Sequence, residues 1–173
     1  PIEPRHGIWL GEGDTPLVDA PSLAGPTGVR RVTIKNESAN PTWSHKDRLS
    51  ALTVSAARAI RAPGVVAAST GNHGASLAAY AARAGLPCTI YTLESVPETM
   101  KTLMQAFAAH VVAVPTSNER YTYLDRDVSE RGWFPGSNAM TPPVGSHPLG
   151  VAGYRSLAYE IFETCRPDPP DVV

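Results

Sequence analysis

Apolar positions along this chain fall into two alternating rhythms. Over residues 44–60, Leu49, Leu52, Ala56 and Ile60 recur at helical spacing until Pro63-Gly64 stops the pattern. A short apolar run over residues 65–68 predicts a strand, followed by the loop Ser69-Thr70-Gly71-Asn72-His73-Gly74. Leu77, Tyr80, Ala81 and Ala84 then mark the buried face of a helix that Gly85 ends. Residues 87–91 read as the next strand and residues 97–108 as a helix, with Met100, Leu103, Met104 and Phe107 on one face. Residues 111–114 are a strand, residues 117–130 a helix weakened by Thr122 and Tyr123, and residues 132–143 irregular. A last helix is expected over residues 151–162, with Tyr154, Leu157, Ala158 and Ile161 inward.

Ahead of this series, residues 7–22 are rich in Gly, Pro and Asp and read as an entry loop, and residues 29–36 as a strand. Ser44 is expected to cap the first long helix, with Asp47 at its third position in the manner of a capping box. The strand–helix alternation from 65 to 130 argues for an α/β fold, a doubly wound parallel sheet with helices on both faces. In such sheets ligands sit beyond the carboxyl ends of the strands, where the 69–74 loop lies. We expect a first segment over 1–54, a small α/β domain over 55–145 and a return helix over 146–173. After the loop Arg166-Pro167-Asp168-Pro169-Pro170-Asp171, Val172-Val173 reads as the first two residues of a buried parallel strand. The chain would then stop as a strand begins.

Composition narrows the function classes. With 173 residues, 42% hydrophobic, 18% charged and net charge −1, the chain can bury a core and has no basic surplus for nucleic acid or anionic membrane. Its two cysteines, Cys88 and Cys165, are too few for a disulfide scaffold and read as free thiols. There is no apolar run of membrane-spanning length, so a cytoplasmic protein is expected. The five histidines, at 6, 45, 73, 110 and 147, lack metal-ligand spacing, and no metal is expected. No nucleophile elbow or triad arrangement is visible. Trp43 and Trp133 read as packing residues, and His147 as a loop residue.

Two features carry chemistry. Lys46 is one of only three lysines, against twelve arginines, and lies in a turn before the first long helix. A lysine that forms a Schiff base must be neutral for part of its cycle, and burial or the positive end of a helix dipole favours that form. The plain alternative is a surface lysine paired with Asp47 or Glu37. The 69–74 loop follows a strand and opens a helix, so its N–H groups can face a carboxylate or a phosphate. Asn72 can donate to a ring oxygen or cap the helix, and the loop can equally be a structural turn. It is neither a dinucleotide fingerprint nor a Walker loop.

Taken in order, the motifs resemble a known family. They are Gly11-Glu12-Gly13-Asp14-Thr15-Pro16-Leu17-Val18, Lys35-Asn36-Glu37 with Asn40-Pro41-Thr42, Ser44-His45-Lys46-Asp47-Arg48, the 69–74 loop and residues 150–160. The set resembles the tryptophan-synthase-β-like superfamily of pyridoxal phosphate enzymes, the second fold type, and most of all its threonine synthase branch. The resemblance implies a three-layer doubly wound parallel sheet that this chain leaves incomplete at its C-terminal end. It implies pyridoxal 5'-phosphate held by Lys46, which also serves as base toward the substrate α proton. It gives Asn72 to the cofactor's ring oxygen, and Ser69, Thr70, Gly71, Asn72 and His73 to the carboxylate of a small amino acid. In the threonine synthase case O-phosphohomoserine becomes threonine and phosphate. A serine or threonine dehydratase, a β-replacement enzyme and a truncated non-catalytic homologue are the alternatives. A homodimer is implied, with a second chain or further residues completing the site. The family's glycine-rich phosphate loop has no counterpart in these residues. Trp43 stands where the family has a small glycine and His45 where it has phenylalanine, so both are site modifiers that bear on substrate choice.

Overall fold

The computed structural model describes residues 2–137, 139 and 145–173. After a 3-10 turn at Pro4–His6, β1 (Leu17–Asp19) pairs antiparallel with β2 (Thr33–Lys35), Leu17 facing Lys35. The helix α1 (Pro21–Thr27) lies between them, with Pro21 in its first turn and Gly28 ending it at φ 71°. The expectation of loop throughout 7–22 is thus corrected. β1 is a three-residue strand whose order comes from its partner, and so few residues hold no readable alternation. The expected 29–36 strand contracts to three residues, because only these face β1.

The helix α2 (Lys46–Ala59) follows, then β3 (Val65–Ala68), α3 (Asn72–Ala84), β4 (Cys88–Leu93), α4 (Glu98–Ala106), β5 (His110–Val114), α5 (Ser117–Arg131) and β6 (Phe134–Pro135). The four strands form one parallel sheet in the order β5-β4-β3-β6. β3 is buried at every position, and its residues alternate between two cores. Val65 and Ala67 pack with Val54, Leu77, Tyr80, Ile90 and Met104, under α2, α3 and α4. Val66 and Ala68 pack with Tyr91 and Leu124, under α5. Helices therefore cover both faces, and the α/β architecture is as expected. β6 was not foreseen within 132–143, because its two residues are recognisable only by their pairing to β3; residues 138 and 140–143 of that stretch lie outside the described residues.

Several local expectations shift. Leu49 and Ala56 of the expected α2 stripe are buried, Leu52 is half-buried and Ile60 is exposed; Thr53, Val54 and Ala57 are buried too, because both α3 and the later turn at 150–153 cover the helix. Ser44 accepts the Lys46 N–H, and Asp47 reaches back to Thr42 rather than to Ser44, so the capping box is not formed. A Thr116–Glu119 pair caps α5 instead, with Thr116 Oγ1 accepting the Glu119 N–H at 3.3 Å. The expected 151–162 helix is broken into α6 (Pro148–Val151), a 3-10 turn (Ala152–Tyr154) and α7 (Arg155–Thr164). A Cβ at Gly153 would lie 2.1 Å from the Arg48 carbonyl oxygen, so the bare backbone of this turn lies directly on α2. Ala158 is exposed rather than inward; Glu160 takes the inner face because it meets Arg48. Val172 and Val173 are exposed and belong to no strand, since no described strand runs beside them to supply hydrogen bonds. Trp133 packs as expected, but Trp43 is 64% exposed. Its backbone sits at φ 59°, a conformation a glycine adopts without strain. Cys88 and Cys165 are unpaired. Among the described residues no helix is long and apolar enough to cross a membrane, and no cluster has metal-ligand composition.

Candidate active site

Lys46 is the first residue of α2, at the positive end of the helix dipole. The next residue fixes how this end meets α3. Asp47 is fully buried, accepts the Thr42 N–H at 2.7 Å and the Thr42 hydroxyl, and accepts the Ser76 hydroxyl at 2.6 Å. Ser76, in the second turn of α3, also reaches Ser50 at 2.7 Å. The starts of α2 and α3 are therefore latched together, which brings Lys46 toward the loop that opens α3.

That loop is tied from within. Ser69 Oγ accepts the Gly74 N–H at 2.8 Å and the Gly71 N–H at 3.3 Å. Its hydroxyl is thus a brace, whereas Thr70 and Asn72 are exposed. His73 Nε2 is sealed from solvent with no hydrogen-bond partner among the described residues. Burial first, and the positive charge of Lys46 second, push its imidazole down to about 4. A Cβ on Gly71 would meet nothing nearer than Met100 at 3.9 Å, so the loop mouth has room. A Cβ on Gly74 would press on Met104 at 2.9 Å, so this end of the loop is seated against the core.

The half-buried Lys46 pairs with neither Asp47 nor Glu37. Its Nζ meets the Tyr154 hydroxyl at 2.9 Å and lies 5.3 Å from the ring centroid. His45 is exposed, with its ring 5.5 Å from that of Tyr154. Partial burial, then the charge of Lys46, lower the His45 pKa.

Arg48 explains where the nearby carboxylates go. Its guanidinium, 1% exposed, donates to Glu37 at 2.8 and 3.0 Å and to Glu160 at 2.6 and 2.8 Å. Lys35 adds a 2.8 Å ion pair to Glu160, and Thr15 and Asn40 donate to Glu37. Burial would raise Glu160, but hydrogen bonds from Arg48 and Lys35 carry it down to about 2. Glu37 is lowered in the same way, by Arg48 and Thr15 against the effect of burial. One guanidinium thereby joins the entry segment, α2 and α7. Farther along the entry segment, Glu12 accepts the Tyr80 hydroxyl at 2.6 Å and anchors it to α3. Sequence reading did not single out Arg48, Glu160, Ser76 or the Tyr154 hydroxyl as site residues. The adjacent Lys-Asp-Arg charges were the available signal. His147 lies away from this group, its ring 5.1 Å from Phe134 and its Nδ1 accepting the Leu149 N–H.

A family model described as pyridoxal-phosphate dependent enzyme matches residues 8–173. The chain belongs to that family. Its members' cofactor is pyridoxal 5'-phosphate, and the residues around Lys46 fit it: an amine without a carboxylate partner, an open loop mouth and an unsatisfied buried imidazole. The chain is 33% identical over 168 residues to a threonine synthase of Halalkalibacterium halodurans, covering 96% of this chain and 45% of that protein. It is also 33% identical over 181 residues to the 2-amino-4-ketopentanoate thiolase β subunit of Acetoanaerobium sticklandii, covering 94% and 37%. The chain spans less than half the length of these curated relatives. Among solved structures, O-ureido-L-serine synthase matches with a TM-score of 0.75 and 26% identity, over 92% of this chain and 50% of that one.

Proposed function

We propose that this chain carries the lysine-bearing part of an enzyme that acts on a small amino acid, with threonine synthase chemistry: O-phosphohomoserine to threonine and phosphate. The observation that carries the reading is the Lys46 amine, held at the start of α2 beside the 69–74 loop and hydrogen-bonded to a phenol rather than a carboxylate. Pyridoxal phosphate, when bound, supplies the electron sink that lets a proton leave the substrate's α carbon. Lys46 Nζ is the group that holds the cofactor covalently and later takes that proton. Asn72, exposed at the first position of α3, is the donor to the cofactor's ring oxygen. Thr70, the backbone of Gly71 and His73 receive the substrate carboxylate, while Ser69 holds the loop in the shape that presents them. The neutral His73 can donate one hydrogen bond without adding a second positive charge near Lys46. Trp43 and His45 border this space and bear on which side chain is accepted.

The same proposal includes a small domain over 55–145 between segments of a larger one, a cytoplasmic homodimer, and further residues or a second chain that complete the cofactor site. A second reading is dehydration or β-replacement on the same scaffold. It is favoured by the likeness to O-ureido-L-serine synthase. The test is to supply the full natural chain and pyridoxal phosphate with O-phosphohomoserine, and in parallel with L-threonine and L-serine. Equal release of phosphate and threonine supports the first reading. Keto acid from threonine or serine, with no phosphate released, sinks it in favour of the second.

A further inference from the structure

The environment of the Lys46 amine is unusual for a cation on a half-buried helix start. One carboxylate, Asp47, lies in its sequence block and two more, Glu37 and Glu160, meet the block through Arg48, and all are occupied elsewhere. Asp47 is saturated by Thr42 and Ser76, and Glu37 and Glu160 by Arg48 with its neighbours. Among the described residues Lys46 has no ion pair, and its one side-chain hydrogen bond is the 2.9 Å contact to Tyr154. Tyr154 is delivered there by construction. Gly150 in α6 and Gly153 in the 3-10 turn let this stretch lie on α2, where a Cβ would sit 2.4 Å from Thr53 Oγ1 and 2.1 Å from the Arg48 carbonyl oxygen respectively. The ring of His45 also packs against Tyr154, with ring centroids 5.5 Å apart.

A carboxylate would hold Lys46 as an ammonium. A phenol does not choose: its oxygen accepts from an ammonium, and its O–H donates to a neutral amine. We propose that Tyr154 is the residue that holds the Lys46 amine in place whenever that amine is not bonded to cofactor, in both of its protonation states. This inference rests on Lys46 being the reactive amine. The role is that of a partner hydrogen-bonded to the reacting nitrogen, and the chain would use it each time Lys46 is released and must return.

The experiment compares the full natural chain with Tyr154→Phe, which keeps the ring beside His45 and Lys46 and removes only the hydroxyl. Pyridoxal phosphate is added, borohydride is applied at timed intervals, and the modified peptide is read by mass. In parallel, lysine Nζ signals are recorded by NMR with labelled lysine, those of Lys46 and Lys35 being assigned by their loss in Lys46→Arg and Lys35→Arg. We expect fixation at Lys46 in both proteins and about tenfold slower fixation in Tyr154→Phe, the scale of one hydrogen bond to a charged group. We also expect the Lys46 signal to move while that of Lys35, bonded to Glu160 on α7, stays in place. Cofactor fixed elsewhere in the unaltered chain refutes the reactive-amine reading itself. Fixation at Lys46 at an equal rate in both proteins leaves that reading standing and overturns the role of Tyr154. Slower fixation with the Lys35 signal displaced as well shows that α7 has lost its seat, and overturns the role too.

Discussion

Removing one negative charge from the Arg48 cluster has a size and a pH window that can be worked out. In Glu160→Gln, the 1% exposed Arg48 side chain keeps Glu37 but loses the carboxylate that met it at 2.6 and 2.8 Å. The new amide also turns an N–H₂ group toward donors on Arg48 and Lys35. Breaking a buried pair from one side costs about 3–5 kcal/mol. Glu160 retains 22% of its side-chain exposure, and Gln keeps one acceptor oxygen, so about 2 kcal/mol is expected at pH 7. The pH behaviour gives a second route to the same figure. Glu160 lies near 2 in the folded chain against an ordinary 4.5, a difference equivalent to roughly 3 kcal/mol before solvent screening reduces it. Because the folded-state value is depressed, the unfolded chain binds the proton first, and the stabilisation present above about 4.5 is lost as the pH falls toward 2. Urea unfolding of both proteins at several pH values from 7 to 3 should show two curves that converge as the pH falls. A constant offset between them across that range would refute the assignment of the stabilisation to the Glu160 charge.

Three further outcomes are expected. Lys46→Ala should lose borohydride fixation of added pyridoxal phosphate at this peptide while its urea midpoint changes little; retained fixation there would contradict the role of Lys46. Gly153→Ala places a Cβ 2.1 Å from the Arg48 backbone, which no side-chain motion relieves, and should cost about 3 kcal/mol or more in urea unfolding and displace the Tyr154–Lys46 contact. His73 should titrate near 4 by NMR; since the unfolded chain protonates at about 6.5, its contribution to stability falls as the pH drops from 6.5 toward 4, and a titration near 6.5 would show that the imidazole is not sealed.

What could be read from the sequence follows how much each element depends on distant partners. β3 and β4 are four and six residues long and nearly all buried, so their apolar runs announced them. Gly85 and Gly132 end α3 and α5 in the left-handed conformation, and at Gly85 this made the helix end visible as punctuation. β1 and β6 have three and two residues, and nothing in so short a stretch encodes a strand until its neighbour is in place; β2 was legible within residues 29–36, but its three-residue extent is set by pairing with β1. The loop Ser69-Thr70-Gly71-Asn72-His73-Gly74 and Lys46 stood out by residue type. Tyr154 did not, because helical spacing assigned it to an apolar stripe. Only the 3-10 turn at Ala152–Tyr154, set by the close approach of Gly153 to α2, turns its hydroxyl to Lys46.

The block Lys46-Asp47-Arg48 shows why three charges can stand side by side at this point. On a helix each residue turns by about 100°, so neighbours leave the axis in three directions. Asp47 goes to Thr42 and α3, where two hydroxyls and an N–H neutralise the cost of burying a carboxylate. Arg48 goes to Glu37 and Glu160, and in doing so holds the entry segment and α7 against α2. With Asp47 and the carboxylates around Arg48 so engaged, none among the described residues pairs with the third. Among the described residues Lys46 is therefore left without a fixed counter-charge, its amine hydrogen-bonded to the Tyr154 hydroxyl at 2.9 Å. The role proposed for Lys46 needs that freedom, and the two flanking charges create it by being structural.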